Sequence, residues 1–579
     1  MKLGIDFGST YSTFATYDEG TDQPLILSME EGKSATLPTM VSCSKKGEWN
    51  FGNGAKDLVG NKRQRIYEAF KMLLVEENPE VIRRRGYDGE HSPRAIAQRF
   101  LYSVLGKIRD RYDSDPTDIV ICAPEIWGSK MGKSMDGRAI LKDILSYDAD
   151  GNLTDRQIRV VTEPEAASAF FAYNYEKKTK TAFNGHLLLI DYGGGTLDLT
   201  LTKVTSDGAG TMEITYVASG GVGENHTDAR GNNTIGNAGI AFMQDVVIRA
   251  MREQGYLQED EEIDYTDPEF LKAVKELESK LVNRSFDIQG TFERFGSYKW
   301  VAKIMKRSPM PFTELDYGDD GLDITYQHIF ASYQEMIESI LTRETDLINE
   351  KVSQAVCIDP CTPEAGTVGN FKIALVGGFG SFYLVKHQID QIYNIDPDSD
   401  NDLRLRDIDG DKKETAIALG AALIASERVT LQRVARYSIG VCAVRQDGSK
   451  VASYGINVRQ IVTPGEIYPI CPENSDRPAI YANLKGQITC FVINYTGVPG
   501  QGIPMRLKDE MIEALNRGLT GGEAGLWTCG FSMDESNIIS FHAIPYSLYS
   551  NDNRQELKIP LASYTNLFEA TRTDEEDFI

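Results

Sequence analysis

The chain has 579 residues, 41% of them apolar and 25% charged. That composition excludes collagen-like, low-complexity and wholly disordered classes, and the length predicts roughly three or four domains or subdomains. With 61 lysines and arginines against 85 aspartates and glutamates, the net charge is −24, and such a surface repels phosphate backbones, so nucleic acid is not expected as a partner.

The longest apolar stretch, Ala416 to Ala425, is far short of the roughly 20 residues of a membrane span, so no membrane partner is expected. Asp6 falls inside the would-be apolar region of a signal peptide. Eight cysteines in a chain this long are too few for a disulfide scaffold. A reduced, cytoplasmic protein is the expectation.

From residue 1 to about 428, short apolar strands alternate with helical patterns, an α/β texture. Helices are predicted over Arg94–Arg111, Ala166–Glu176, Gly239–Gln254, Pro268–Asn283, Tyr326–Glu350 and Glu414–Val429. The strand-like run Ile119–Cys122 precedes Gly128-Ser-Lys-Met-Gly132-Lys133-Ser134. That segment has three residues between its glycines where a P-loop has four, so it reads as a polar loop before a helix starting near Arg138. Cys357 and Cys361 lack two further ligands at short spacing, so no zinc site is predicted. Beyond Val429, alternating runs take over: Tyr437–Val444, Tyr454–Val462, Ile488–Tyr495, Ile538–Ile544 and Glu556–Ile559. They predict an antiparallel β domain, interrupted by an amphipathic helix at Met505–Gly518. An acidic tail, Thr573 to Asp577, closes the chain.

One local pattern occurs twice. Leu3-Gly4-Ile5-Asp6-Phe7-Gly8-Ser9-Thr10-Tyr11-Ser12 is matched by Leu188-Leu189-Ile190-Asp191-Tyr192-Gly193-Gly194-Gly195-Thr196-Leu197-Asp198. After the second copy, Leu197, Leu199 and Leu201 alternate with polar residues. This is a strand, so the motif is strand–turn–strand and not the strand–loop–helix of dinucleotide or P-loop sites. Glycines let a turn approach a phosphate closely, and turn N–H groups form an anion-binding concavity. Ser9, Thr10 and Thr196 add hydroxyl donors. Two such hairpins facing each other would grip a polyphosphate, with Asp6 and Asp191 holding Mg2+ through its water shell.

These residues resemble the two phosphate motifs of the actin-like ATPase superfamily. Val160-Val-Thr-Glu163-Pro164-Glu-Ala-Ala167, Leu375-Val-Gly377-Gly378-Phe379-Gly380 and Glu414-Thr-Ala-Ile-Ala-Leu-Gly420-Ala-Ala are similar, in order, to the connecting, adenosine and final-helix motifs of DnaK-type, seventy-kilodalton heat-shock chaperones. The resemblance implies a two-lobed α/β ATPase fold with duplicated phosphate hairpins over residues 1–428. It further implies a linker at 429–434, a smaller, mainly antiparallel substrate-binding-like β domain at 435–565 and a tail at 566–579, with no helical lid. Its cofactors would be ATP or ADP with Mg2+, and K+ as a further candidate. Its partners would be unfolded or extended peptide segments or a dedicated protein, and the chain a monomer. The alternatives are an actin-like nucleotide-gated scaffold or filament protein, and a small-metabolite kinase of the same superfamily.

Carried over by position, the resemblance makes Asp6, Asp191 and Asp198 the residues around the metal. Lys71, Glu163, Asp191 and Thr196 become the residues that act on the transferred phosphoryl group and the attacking water. Gly8, Ser9, Thr10, Tyr11, Gly193, Gly194, Gly195, Thr196 and Gly236 would hold phosphates. Glu276, Lys280, Asn283, Gly377, Gly378 and Phe379 would hold ribose and base, and Pro124, Arg138 and Pro164 would relay nucleotide state. The family clamps adenine between two arginines; here Phe379, Gly380 and Ser381 stand where one should be, leaving Phe379 or Phe382 as a stacking ring or as core. Val429-Thr-Leu-Gln-Arg-Val434 is more polar than the family's linker, and the Met505–Trp527 insertion has no counterpart.

Overall fold

The structure is a computed structural model. It describes residues 1–29, 34–76, 78–125, 127, 137–208, 211–223, 225–227, 233–295, 309–362, 371–395, 414–444, 450–472, 475, 477–481, 488–505, 526–546 and 556–561. The P-loop-like segment, the expected helix at Met505–Gly518 and the acidic tail lie outside these residues, apart from Met505. The chain forms two compact units, Met1–Ile126 with Ile144–Thr430, and Trp127–Asp143 with Leu431–Ile579.

The first unit holds two larger sheets. In one, β1 (Lys2–Phe7) and β2 (Tyr11–Asp18) form an antiparallel hairpin, and β1 pairs in parallel with β3 (Asp118–Ala123), which pairs in parallel with β4 (Gln157–Thr162). In the other, β5 (Gly185–Tyr192) and β6 (Leu197–Ser206) form an antiparallel hairpin. There β6 continues to β7 (Met212–Val222), and β5 pairs in parallel with β8 (Phe371–Val376). Both sheets therefore place the first strand of a hairpin beside a parallel neighbour. β9 (Val429–Gln432) follows β7 at the edge of the second sheet, so part of the expected linker is a strand.

Helices α1 (Pro93–Tyr112), α2 (Glu163–Thr179), α3 (Gly239–Glu253) and α4 (Pro268–Asn283) stand close to their expected places. α5 (Ala416–Ala425) is buried along its whole length, which its unbroken run of small and aliphatic residues allows. Gly420 lets α5 cross α2 at a distance no Cβ would permit, since that atom would meet the Ala166 carbonyl. The expected single helix Tyr326–Glu350 is instead two, Tyr326–Tyr333 and Ser339–Val356, joined by a π turn at Gln334–Glu338. Such a turn inserts one extra residue, which helical periodicity does not reveal.

The second unit is a β sandwich. One sheet runs β11 (Lys450–Ile456), β10 (Ser438–Val444), β12 (Ile488–Asn494), β13 (Ile503–Met505). The other centres on β14 (Leu526–Met533), β15 (Ile539–Tyr546) and β16 (Leu557–Pro560). Alternate residues of both sheets, among them Ile439, Val441, Phe491, Ile493, Phe531 and Phe541, share one apolar core. The strand expected at Tyr454–Val462 ends earlier, because Asn457–Gln460 is a turn closed by a bond from the Gln460 N–H to the Asn457 carbonyl.

Candidate functional site

The two hairpins put their aspartates at matching places. Leu3, Ile5 and Phe7 alternate into the core of the first hairpin, so Asp6 takes the other face, opposite Thr13. In the second hairpin Asp191 lies directly opposite Asp198. Two like charges so placed repel each other unless a proton or cation intervenes.

The opposing cation is Lys71. Its helical turn, Phe70–Leu73, opens at Ala69 in the left-handed region (φ 54°). Phe70 is anchored against Phe7 and Phe100, with ring centroids 6.0 and 5.8 Å away. That anchoring sends Lys71 inward, where it is 2% exposed and pairs with Glu163, itself 6% exposed. Glu163 is the first residue of α2, whose start is fixed by a capping box between Thr162 and Glu165 and by Pro164.

Glu163, Asp6 and Asp191 thus act on one ammonium, with Asp198 opposite Asp191. Burial, then Glu163, pushes Asp6 up to about 7, with Lys71 opposing. Burial, followed by Glu163, Asp198 and Asp6, holds Asp191 well above the usual carboxylate range. Burial alone would lower Lys71, but Glu163, Asp6 and Asp191 outweigh it and raise the ammonium above its ordinary value. The cluster is short of positive charge, and protonation is how it balances without a cation. Asp191 Oδ2 is buried with no hydrogen-bond partner among the described residues. An orphaned carboxylate oxygen in an anion-rich cluster suits a hydrated divalent cation. Among the described residues no three such side chains converge for direct ligation, and Mg2+ that keeps its waters does not require it.

The turns themselves meet. A Cβ on Gly194 would strike Thr10 Oγ1, and one on Gly195 would strike Met72 and come within 3.0 Å of Ser9 Oγ. The carbonyls of Gly193, Gly194 and Gly195 accept the N–H groups of Gly239 (3.2 Å), Ile240 (2.8 Å) and Asn237 (3.3 Å). These bonds tie the start of α3 to the second turn. Gly236, at φ 65°, passes so close to the Gly195 carbonyl that no other residue fits. Thr196 is buried beside these glycines and Tyr11 accepts a hydrogen bond from Lys56 Nζ at 3.2 Å. Ala69, Met72, Ile235 and Ile240 form a small apolar cluster across the turns. The cleft they leave, lined by Ser9, Thr10, Glu68, Met243 and Lys275 among others, encloses about 10 Å³, room for one water.

The residues expected at ribose and base are arranged differently. Gly377 sits against Asp191 and Tyr192, with Gly378 beside it exposed. Phe379 packs into an aromatic group, 5.1 Å from Tyr192, 5.3 Å from Phe242 and 5.5 Å from Phe382, whose ring is nearly parallel. Glu276 accepts the Asp316 N–H at 3.0 Å and pairs with Lys280 at 3.7 Å, while Asn283 bonds Ser279. None of these three lines the cleft. Lys275 does, paired with Glu68 at 3.4 Å and Glu278 at 3.3 Å. Burial opposes its charge, but Glu278 and Glu68 raise its ammonium well above the ordinary value. Sequence reasoning missed Lys275. It flanks the buried stripe Phe270, Leu271, Ala273, Val274 and Leu277 of α4, and that pattern does not tell which flank faces the first hairpin. Pro124 and Pro164 are buried in the first unit, whereas Arg138, 5% exposed, groups with the second.

No family model matches the chain. Among curated proteins the chain is similar to the chaperone protein dnaK of Thalassiosira pseudonana, 26% identical over 236 residues. The match takes in 37% of this chain and 35% of that protein, so the chain spans about a third of that relative's length. This likeness, with the mixed α/β architecture, supports a distant heat-shock-70-like relationship. Among the described residues no helix is long and apolar enough to cross a membrane.

Proposed function

We propose that the first unit binds ATP with Mg2+ and hydrolyses it slowly, and that the chain is a divergent DnaK-like chaperone. The observation that carries this reading is the buried Lys71–Glu163 pair set among Asp6, Asp191 and Asp198 where two glycine and hydroxyl turns meet.

Mg2+ would supply charge neutralisation between the phosphate oxygens and the aspartates. Ser9, Thr10, Thr196 and the turn N–H groups bind and orient the phosphate chain. Lys71 stabilises the negative charge that spreads over the transferred phosphoryl group. Glu163 fixes Lys71 and, with Asp191, orients the attacking water. These groups position the phosphate chain and stabilise spread negative charge and do little covalent chemistry, and the expected turnover is slow. The cleft beside Ser9 and Thr10, which encloses about 10 Å³, must widen to admit the phosphates.

In the second unit, β11 is an edge strand among the described pairings. An extended peptide segment, or a segment of a dedicated partner, would add to such an edge by backbone pairing. Isothermal titration of the full chain with ATP and ADP, with and without Mg2+, followed by a turnover assay, tests the reading. Binding that needs Mg2+, with slow phosphate release, supports it. No nucleotide binding under either condition overturns it.

A further inference from the structure

Cys442 on β10 and Cys490 on β12 are Cα partners in the antiparallel ladder. No other two cysteines face each other in the described strand pairings. Directly opposed residues in such a ladder have Cα atoms about 4.5 or 5.5 Å apart. Either spacing lies in the window of about 4.4–6.8 Å that a disulfide accepts. Their side chains share a face, as opposed residues must. It is the face away from the core, because the neighbours Val441 and Phe491 are the core residues. The register slips immediately after this pair: Cys442 opposes Cys490, but Ala443 opposes Ile488. The extra residue, Thr489, makes a bulge, and the local twist and slack it provides let two thiols adjust to bonding geometry.

We propose that Cys442 and Cys490 form a reversible cross-strand disulfide, with a small-molecule disulfide such as oxidised glutathione as the oxidant. Cys442 is wholly buried and Cys490 only half-buried, so Cys490 reacts first, losing its thiol proton to become the nucleophile that attacks one sulfur of oxidised glutathione. Its thiolate displaces one glutathione thiolate and leaves a mixed disulfide. Cys442 then attacks Cys490 Sγ, and its proton passes to the second departing glutathione thiolate. Two protein thiols are oxidised, and one glutathione disulfide is reduced to two glutathione thiols. The link joins the two inner strands of a four-stranded sheet and closes a long loop of chain, so the second unit is more stable oxidised than reduced.

The test equilibrates the native full chain with oxidised glutathione, alkylates remaining thiols and maps peptides by mass spectrometry. The expected result is a linked peptide pair joining Cys442 to Cys490, removed by dithiothreitol. The thermal midpoint of the second unit should rise by about 5 °C or more on oxidation. Cys490→Ala should abolish both effects, and resistance of the buried thiols Cys43, Cys122 and Cys529 to native-state alkylation shows that the variant is folded. Alkylation of both cysteines after native oxidation, or a link that forms only in denaturant, would overturn the proposal. The result does not depend on whether the first unit hydrolyses ATP.

Discussion

The two regions of the first unit expected to hold phosphate and base are built on opposite principles. Where the hairpins meet, charge is concentrated beyond what the protein alone can balance: Asp6, Glu163, Asp191 and Asp198 against Lys71. At the Gly377–Phe379 turn and on α4, polar groups are already satisfied within the protein. Glu276 caps a backbone N–H, Lys280 answers Glu276, and Phe379 belongs to an aromatic stack. A region with unmet electrostatic demand is poised for a ligand; one whose partners are all internal gains little from one. On the proposed reading, affinity and chemistry come from the phosphate half, and the base half contributes chiefly shape.

The sharpest way to break that view is to remove the cation. Lys71→Ala should lower ATP turnover by about two orders of magnitude or more, the scale of losing one preorganised donor to a developing anion. ATP binding, read by calorimetry, should survive because the turn N–H groups and hydroxyls remain. Unchanged turnover would move the chemistry away from this cluster.

The next effect concerns pH and metal. Asp6 is raised from its ordinary value to about 7, so between about pH 4 and pH 7 the folded chain binds more protons than the unfolded one. Its stability should therefore fall as pH rises through that window. Mg2+ favours the ionised carboxylates and should flatten the fall. Thermal midpoints of the first unit, measured at pH 5 and pH 8 with Mg2+ and with EDTA, check both statements. Asp6→Asn should flatten the profile without metal. A profile already flat in EDTA for the unmodified chain would remove the charge-imbalance argument.

Much of the phosphate half was legible in the sequence because its logic is local. A strand ending in aspartate, then glycines and hydroxyls, then alternation in Leu197, Leu199 and Leu201, dictates a hairpin wherever it occurs. The structure brings Lys71, Glu163, Asp6 and Asp191 together, although they are widely separated in sequence. Lys275 was not legible as a cleft residue, because which edge of α4 faces the first hairpin depends on tertiary packing. The π turn at Gln334–Glu338 and the early end of β11 were missed for a related reason: a one-residue insertion or a turn of ordinary residues leaves no compositional mark. Phe379 was ambiguous in the sequence between a stacking surface and core, and the rings of Tyr192, Phe242 and Phe382 around it settle its packing.

That packing makes a prediction of middle size. Phe379→Ala should destabilise the first unit by about 3 kcal/mol, the scale of truncating a packed aromatic. It should leave the ratio of ATP to GTP affinity unchanged. Phe379→Leu should recover most of the stability. Denaturant unfolding monitored by circular dichroism, paired with nucleotide competition, reads both quantities. A variant of normal stability with altered nucleotide preference would show that the ring serves the base and not the core.

The smallest expected effect is in base selection itself. Discrimination between adenine and guanine requires groups that pair with one base edge and are left unsatisfied, or clash, with the other. The polar side chains of the base half are engaged internally: Glu276 with the Asp316 N–H and Lys280, Asn283 with Ser279. Lys275, held by Glu68 and Glu278, lines the cleft beside Ser9 and Thr10, the phosphate end. Its contribution is a positive charge that answers phosphate oxygens and is indifferent to the base. GTP should therefore compete for the site within about two-hundredfold of ATP, since a pocket that offers shape alone separates similar ligands by only about 1–3 kcal/mol. Lys275→Ala should weaken both nucleotides by the same factor, leaving their ratio fixed. Competition titrations with a fluorescent ATP analogue would show it. If GTP failed to displace the analogue at a thousandfold excess, the base half would have to carry recognition that its internal hydrogen bonds do not leave free, and the division of labour between the two halves would fall.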